Sequence, residues 1–167
     1  MTDFKIRRFL SILVIISGIL IGSICILYQY HHYKYGSTIN ISSYPILQEG
    51  EYAYGIDALV KENRDYDFIN GWIAVEGHSV LQYNTQLLLY TDDSDIALCF
   101  QLTAINRDNA SVPFEDGEDY NPRGFQRRIK SSPVEEKEYK IGFLIDVDRE
   151  LKLIMTDQVY RVSNGEG

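Results

Sequence analysis

The side chains best suited to acid–base chemistry are concentrated in one acidic loop. Glu115, Asp116, Glu118 and Asp119 follow one another closely, and two carboxyl groups held about 5–9 Å apart can hydrolyse a glycosidic bond. One of the two needs a raised pKa, which requires a buried environment. This loop is polar, so a solvated acidic turn is the favoured interpretation. The sequence also contains no G-x-S-x-G, H-E-x-x-H, P-loop or dinucleotide motif, and we expect no enzymatic activity.

Two other acidic segments are candidates for a calcium site. Asp92, Asp93 and Asp95 form one, and Asp146 and Asp148 form the other. Calcium takes oxygen ligands of this kind. Neither segment matches an EF-hand loop, because the first lacks the glycine at position six and neither has the glutamate at position twelve. Polar hairpin turns are therefore favoured, and no metal or cofactor is predicted.

Aromatic residues provide the remaining candidate binding groups. Tyr83, Tyr90 and Tyr120 are predicted as side chains that stack on a glycan. Trp72 is an alternative sugar platform, but a core position is favoured for Trp72 and Phe125 because large aromatic side chains bury the most area.

An apolar run determines where these groups act. Residues Phe9 to Tyr28 contain no charge, and twenty helical residues span roughly 30 Å, the thickness of the hydrocarbon core of a bilayer. The run is longer than the apolar region of a signal peptide, and no small-residue cleavage site follows it. It predicts an uncleaved transmembrane anchor.

Charge predicts the orientation of this anchor and limits its partners. Lys5, Arg7 and Arg8 precede the run and Lys34 alone follows closely, so the N-terminus should be cytoplasmic and the rest exported. The chain has a net charge of −8, and residues 1–30 contribute +2. The remaining −10 disfavours nucleic acid and favours neutral or cationic partners.

Two small features of the chain bear on assembly and disulfides. Gly18 and Gly22 form a GxxxG step, which predicts a helix-mediated dimer as one interpretation. Cys25 lies in the span and Cys99 in the exported part, so this topology allows no disulfide within one chain. Cys99 is expected in a strand near the core.

The segments beyond the anchor read as a linker followed by an all-β domain. We predict a cytoplasmic N-terminus over residues 1–8, the span over 9–28, an interfacial segment and linker over 29–50, and the exported domain over 51–167. Short β-branched and aromatic segments alternate with turn residues, which is typical of a two-layer antiparallel sandwich. About eight strands are predicted, near residues 53–60, 68–75, 85–91, 96–104, 125–129, 138–146, 151–155 and 159–162.

The strand over 138–146 has the clearest pattern. Tyr139, Ile141, Phe143 and Ile145 alternate with polar or small residues, so they should share one buried face. Leu151, Leu153 and Met155 are expected to continue this pattern in the following strand.

Several short motifs over residues 66–162 resemble a family. Gly71-Trp72, an apolar strand around residues 86–90, Arg107-Asp108, and Tyr120 followed by Gly124-Phe125 are similar to small β-sandwich accessory modules found beside bacterial cell-surface polysaccharide enzymes. Gln126-Arg127-Arg128 departs from the small or apolar residues of that pattern. The resemblance implies an immunoglobulin-like sandwich in the bacterial envelope with no catalytic residues of its own.

Two functions of different classes follow from the sequence. The first is a membrane-anchored, non-catalytic, extracytoplasmic module that serves recognition or an accessory role in envelope polysaccharide metabolism. The second is a structural subunit that docks on a neighbouring membrane protein complex.

Overall fold

A computed structural model describes residues 2–78, 84–106, 112–113, 119–120, 122–131, 134, 138–147 and 149–161. Side chains are described for these residues except 2–5, 112–113, 119–120 and 123. The chain divides into two compact units, residues 1–34 and residues 35–167.

The first unit is one long helix. Helix α1 runs from Thr2 to Tyr35, and its side chains from Ile6 to His32 are exposed. Among the described residues it is the one helix long and apolar enough to cross a membrane, over Ile6–Tyr35. Ser11 and Ser23 donate their hydroxyl hydrogens to the carbonyls four residues earlier, at 2.9 Å each, which satisfies these polar groups inside an apolar helix. The predicted apolar helix is therefore confirmed.

The second unit contains two antiparallel sheets, so the all-β prediction is confirmed at that level. Sheet A has five strands in the order β1-β5-β4-β10-β11. Its strands are β1 (Ser37–Asn40), β4 (Gln86–Tyr90), β5 (Ile96–Gln101), β10 (Glu138–Val147) and β11 (Glu150–Arg161).

Sheet B has four strands in the order β2-β3-β9-β6. Its strands are β2 (Tyr52–Lys61), β3 (Tyr66–Val75), β6 (Thr103–Ile105) and β9 (Arg123–Lys130). A separate pair joins β7 (Val112–Pro113) to β8 (Asp119–Tyr120). The sheets are not closed, and the immunoglobulin-like connectivity stays a prediction.

The main core lies between the inner faces of the two sheets. Its cluster combines Ile69 and Ile73 of sheet B with side chains of sheet A. The alternating residues of β10 predicted to share a face all belong to it: Tyr139, Ile141, Phe143, Ile145 and also Val147. Leu153 and Met155 instead pack on the opposite face of sheet A, with Leu144, because the register places them directly across from Leu144 and Gly142.

Residues 37–47 are part of the folded unit, which differs from the predicted linker. β1 pairs with β5 at one edge of sheet A, and a short 3-10 helix, Ile41–Ser43, follows it. Leu47 then donates its amide hydrogen to the Leu153 carbonyl at the β11 edge, at 2.8 Å. Ile41 and Tyr44 pack against the apolar outer face of sheet A between these two edges, so burial orders a segment that is polar in composition.

The remaining strand boundaries differ from the prediction in two places. The segment predicted over 96–104 is divided between β5 in sheet A and β6 in sheet B. The two strands predicted over 151–155 and 159–162 are one strand, β11, whose pairing with β10 shifts register between Lys140 and Gly142. A β-bulge bends a strand without ending it, so the polar residues in the middle of β11 do not mark a loop.

Two glycines allow β2 and β3 to approach closely. The pairing of these strands shifts between Ile56 and Ala58, and a Cβ at Gly71 would overlap the Gly55 carbonyl and approach Phe125 Cζ to 2.8 Å. Gly71 therefore relieves crowding at the shift in the ladder.

Gly71→Ala should lower the free energy of unfolding of the second unit by about 1–3 kcal/mol or more, because overpacking beside backbone atoms forces the ladder apart. Denaturant unfolding of the full chain in detergent micelles measures this change. Gly18→Ala is the matched control, since its added methyl group would meet no atom within 4 Å apart from the adjacent backbone of α1 itself. An equal, small effect of both substitutions would contradict the crowding.

Candidate functional site

The candidate site is the outer face of sheet B, where β3 presents an aromatic row. Successive side chains of a strand point to opposite faces. Ile69, Ile73 and Val75 point into the core, so Tyr66, Phe68 and Trp72 point outward. These three side chains, called the aromatic row below, are each partly exposed. Neither buried apolar cluster of the described residues includes one of them, so the row is not part of the core.

Trp72 owes its position to a glycine on the neighbouring strand. Gly55 is the cross-strand partner of Trp72, and a Cβ at Gly55 would overlap the indole, approaching Cε2 to 2.7 Å. The indole therefore occupies the space above the β2 backbone that any other residue type would fill. The predicted core position of Trp72 is wrong, whereas Phe125, 2% exposed, is a core residue as predicted.

Side-chain amides lie beside the aromatic row. Asn70 stands between Phe68 and Trp72 on β3, and its cross-strand partner is Gln126 of β9. The Oδ1 atom of Asn70 is buried and accepts no hydrogen bond. An enclosed carbonyl oxygen without a donor costs about 1–3 kcal/mol, and such a group in a native fold calls for an explanation. Because this atom is enclosed, it is not accessible to a ligand on the outer face.

One ion pair also crosses this face. The Arg128 guanidinium donates to the Glu62 carboxylate, with Nη2 and Oε1 2.6 Å apart. Arg128 is the cross-strand partner of Phe68 on β9, and Glu62 follows the end of β2. Since β3 lies between β2 and β9, the pair bridges the strand that carries the aromatic row.

A buried polar contact joins the two sheets beneath this face. The Tyr160 hydroxyl of β11 donates to Asp67 Oδ2 of β3 at 2.6 Å. The pKa of Tyr160 is raised well above its ordinary value. Burial is the larger cause, and this hydrogen bond to the carboxylate is the second. Arg127 of β9 is also buried, at 4% exposure. The hydrogen bond between Tyr160 and Asp67 connects the two layers, and all three side chains are buried and therefore not accessible to a polymer.

The predicted glycan-stacking tyrosines are not brought together. Tyr83 lies outside the described residues, and Tyr120 is described only as a backbone position in β8, paired with Val112. Tyr90 is 5% exposed, and its hydroxyl donates to the Thr156 carbonyl at 2.8 Å. The stacking prediction for Tyr90 is therefore wrong, because a buried ring has no face for a sugar.

The two acidic segments that were candidates for a calcium site lie far apart in sheet A. Asp92 pairs with the Lys140 ammonium at 2.7 Å, and this hydrogen bond is the main reason that the pKa of Lys140 is raised. Asp92, Asp93 and Asp95 follow β4 at one end of sheet A, whereas Asp146 lies near the other end of β10. Asp148 lies outside the described residues. Within the described ranges no three His, Cys, Asp or Glu side chains form a cluster that could hold a metal ion.

The other chemically interesting residues divide between the core and positions that are not described. Glu115, Asp116 and Glu118 lie outside the described residues, and Asp119 is described as a backbone position in β8. Cys99 is buried in β5, as predicted. Burial raises the pKa of its thiol to about 11, so the thiol is inert at neutral pH.

Sequence reasoning named Trp72 only as an alternative sugar platform, and it missed Tyr66 and Phe68 as surface residues of the same row. The signal was available, since Tyr66, Phe68 and Trp72 share one parity along the strand while Ile69, Ile73 and Val75 share the other. Comparison with family models, with curated proteins and with solved structures gives no match to this chain.

Tyr90→Phe should reduce the decrease in the free energy of unfolding that accompanies a rise in pH above 10. Burial raises the pKa of Tyr90 from 10.0 to about 12, so between these pH values the folded state keeps a proton that the unfolded state releases. Stability from this group is complete below pH 10 and declines as the pH rises to 12.

Denaturant unfolding of the full chain at several pH values from 9 to about 12 measures the slope. At pH 9 the free energy of unfolding of Tyr90→Phe should be lower by about 1 kcal/mol, because a hydrogen bond is lost. It should then decline less steeply with pH than that of the wild type. Tyr30→Phe on α1 is the control for removal of one hydroxyl. Identical slopes for the wild type and Tyr90→Phe would contradict the buried placement.

Proposed function

We propose that this chain is a single-pass membrane protein whose second unit is an extracytoplasmic, non-catalytic module that binds envelope polysaccharide. On this proposal α1 anchors the protein with its N-terminus in the cytoplasm, and the sheets form an immunoglobulin-like sandwich. The loose resemblance of residues 66–162 to accessory modules of cell-surface polysaccharide enzymes supports the same assignment.

The proposed anchor is supported by the composition and exposure of α1. Its apolar side chains are exposed over the whole of the described span, which is unfavourable in water and favourable in lipid. Arg7 and Arg8 precede the apolar part, and basic residues near the end of a span favour the cytoplasmic side. The aromatic residues Tyr28, Tyr30 and Tyr33 suit the opposite interface.

The aromatic row is the observation that carries the proposed binding function. Sugar rings combine an apolar face of C–H groups with hydroxyl groups around the rim. Partly exposed aromatic rings offer an apolar surface, and the partly exposed Gln126 amide beside them offers hydrogen-bond donors and an acceptor. Because the row extends along one strand, it suits an extended polymer better than a compact molecule.

Docking through a sheet edge on a neighbouring membrane protein is supported less well. β2 is an edge strand of sheet B, but the register shift between Ile56 and Ala58 leaves Asp57 exposed in its middle. A bulge and a charge on an edge strand both oppose pairing with another strand. Dimerisation of α1 through Gly18 and Gly22 stays a prediction. A Cβ atom added at either glycine would meet no atom within 4 Å apart from the adjacent backbone of α1 itself.

Trp72→Ala should weaken polysaccharide binding at least tenfold, since about 1.4 kcal/mol of lost ring contact corresponds to a factor of ten. The full chain in uncharged detergent micelles is titrated with a panel of soluble polymers: dextran, polygalacturonate, fully methyl-esterified pectin and poly(glycerol phosphate). Gly55→Ala, which displaces the indole without removing it, should also weaken binding.

Ile96→Ala is the matched control, because Ile96 is an exposed apolar residue, 51% exposed, on sheet A. Folding of each variant is verified by its unfolding transition. If the folded wild type binds no polymer of the panel, or if Trp72→Ala binds as tightly as the wild type, the proposed function is rejected.

A further inference from the structure

Charge is distributed unevenly between the outer face of sheet B and the rest of the second unit. The chain carries −10 beyond residue 30. The side chains of β3 that share the outer face with Trp72 are uncharged, whereas Arg128 and Lys130, in register with Phe68 and Tyr66, place cations on that face. Arg128 is paired with Glu62, and Lys130 lies over the Tyr35 ring. The face therefore combines two cations, one carboxylate and aromatic rings in an acidic molecule, and local charge determines what binds there.

The ion pair on this face is exposed and therefore easily exchanged. The Arg128 side chain is 68% exposed and that of Glu62 is 31% exposed. An exposed ion pair contributes about 0–1 kcal/mol to stability. Arg128 thus holds a carboxylate beside the aromatic row. Replacing this carboxylate by another anion would cost little free energy.

We infer that this face binds an acidic polysaccharide, whose negative groups replace the Glu62 carboxylate on Arg128 while its sugar rings contact the aromatic row. This inference rests on the proposed function. A guanidinium binds carboxylate or phosphate through paired hydrogen bonds, and the Glu62 carboxylate already occupies the position of such a group. Glu62 is then a competitor of the ligand, which makes its removal informative.

The test compares two polymers with the same backbone and different charge. Polygalacturonate and fully methyl-esterified pectin are titrated into the full chain in uncharged detergent micelles at low salt. The wild type should bind the acidic polymer at least fivefold more tightly, and added salt should reduce this preference. Poly(glycerol phosphate), a third polymer, is anionic and has no sugar ring, so it tests whether an anion binds this face without ring contacts.

Two substitutions with opposite expected effects on affinity distinguish a ligand-binding role of Arg128 from a structural one. Arg128→Gln should weaken binding of polygalacturonate about five- to tenfold, whereas Glu62→Gln should strengthen it about two- to fivefold, because up to about 1 kcal/mol of competition is removed. Neither should change binding of the methyl ester by more than about twofold.

A second ion pair supplies matched controls. On β11 of sheet A, Lys152 Nζ lies 3.7 Å from Glu150 Oε2. Lys152→Gln and Glu150→Gln change the net charge by the same amounts as Arg128→Gln and Glu62→Gln, but on the other sheet. They should leave the preference for the acidic polymer unchanged.

Each other outcome overturns a defined part of the account. Equal binding of both pectin polymers, with no effect of Arg128→Gln, rejects the acidic ligand and leaves the proposed function intact. If the folded protein binds none of these three polymers, the acidic ligand is rejected, and if it does not bind dextran either, the proposed function is rejected with it. Weaker binding of polygalacturonate by Glu62→Gln shows that Glu62 positions Arg128, and it rejects the exchange of anions.

Discussion

The constraint on which the second unit depends is that sheet B has two faces and only one of them packs on sheet A. The alternation of β3 divides its side chains between the core and the outer face, with Ile69 and Ile73 inside and the aromatic row outside. Sheet A meets the same constraint differently, because Ile41 and Tyr44 cover part of its outer face. On sheet B, in contrast, the aromatic row stays partly exposed on the outer face.

The period of two made much of this architecture predictable. Tyr139, Ile141, Phe143 and Ile145 face the core as the alternation requires, and the polar turns separate most strands where expected. Residues 37–47 could not be assigned in this way, because their order comes from covering sheet A and pairing with Leu153, contacts that are distant in sequence. β11 was divided wrongly, since its polar middle marks a shift in register.

The candidate site was harder to predict than the fold because burial of an aromatic residue depends on what lies opposite it. Trp72 and Phe125 are both large aromatic residues next to a glycine, so the sequence treats them alike. Their strands give them opposite directions: Phe125 packs against Phe143 with ring centroids 5.3 Å apart, and Trp72 lies above Gly55. Net charge is equally limited as a guide, since it favours neutral or cationic partners while Arg128 offers a site for an anion.

Trp72 is the single tryptophan of the chain, so its fluorescence reports on the outer face of sheet B alone. Acrylamide quenching of this fluorescence, measured on the full chain with and without saturating polygalacturonate, tests the central claim most directly. Quenching should fall at least twofold when the polymer covers the indole, because the bound polymer keeps acrylamide away from the ring. Unchanged quenching, at polymer concentrations where binding is demonstrated independently, would contradict the assignment of this face as the binding site.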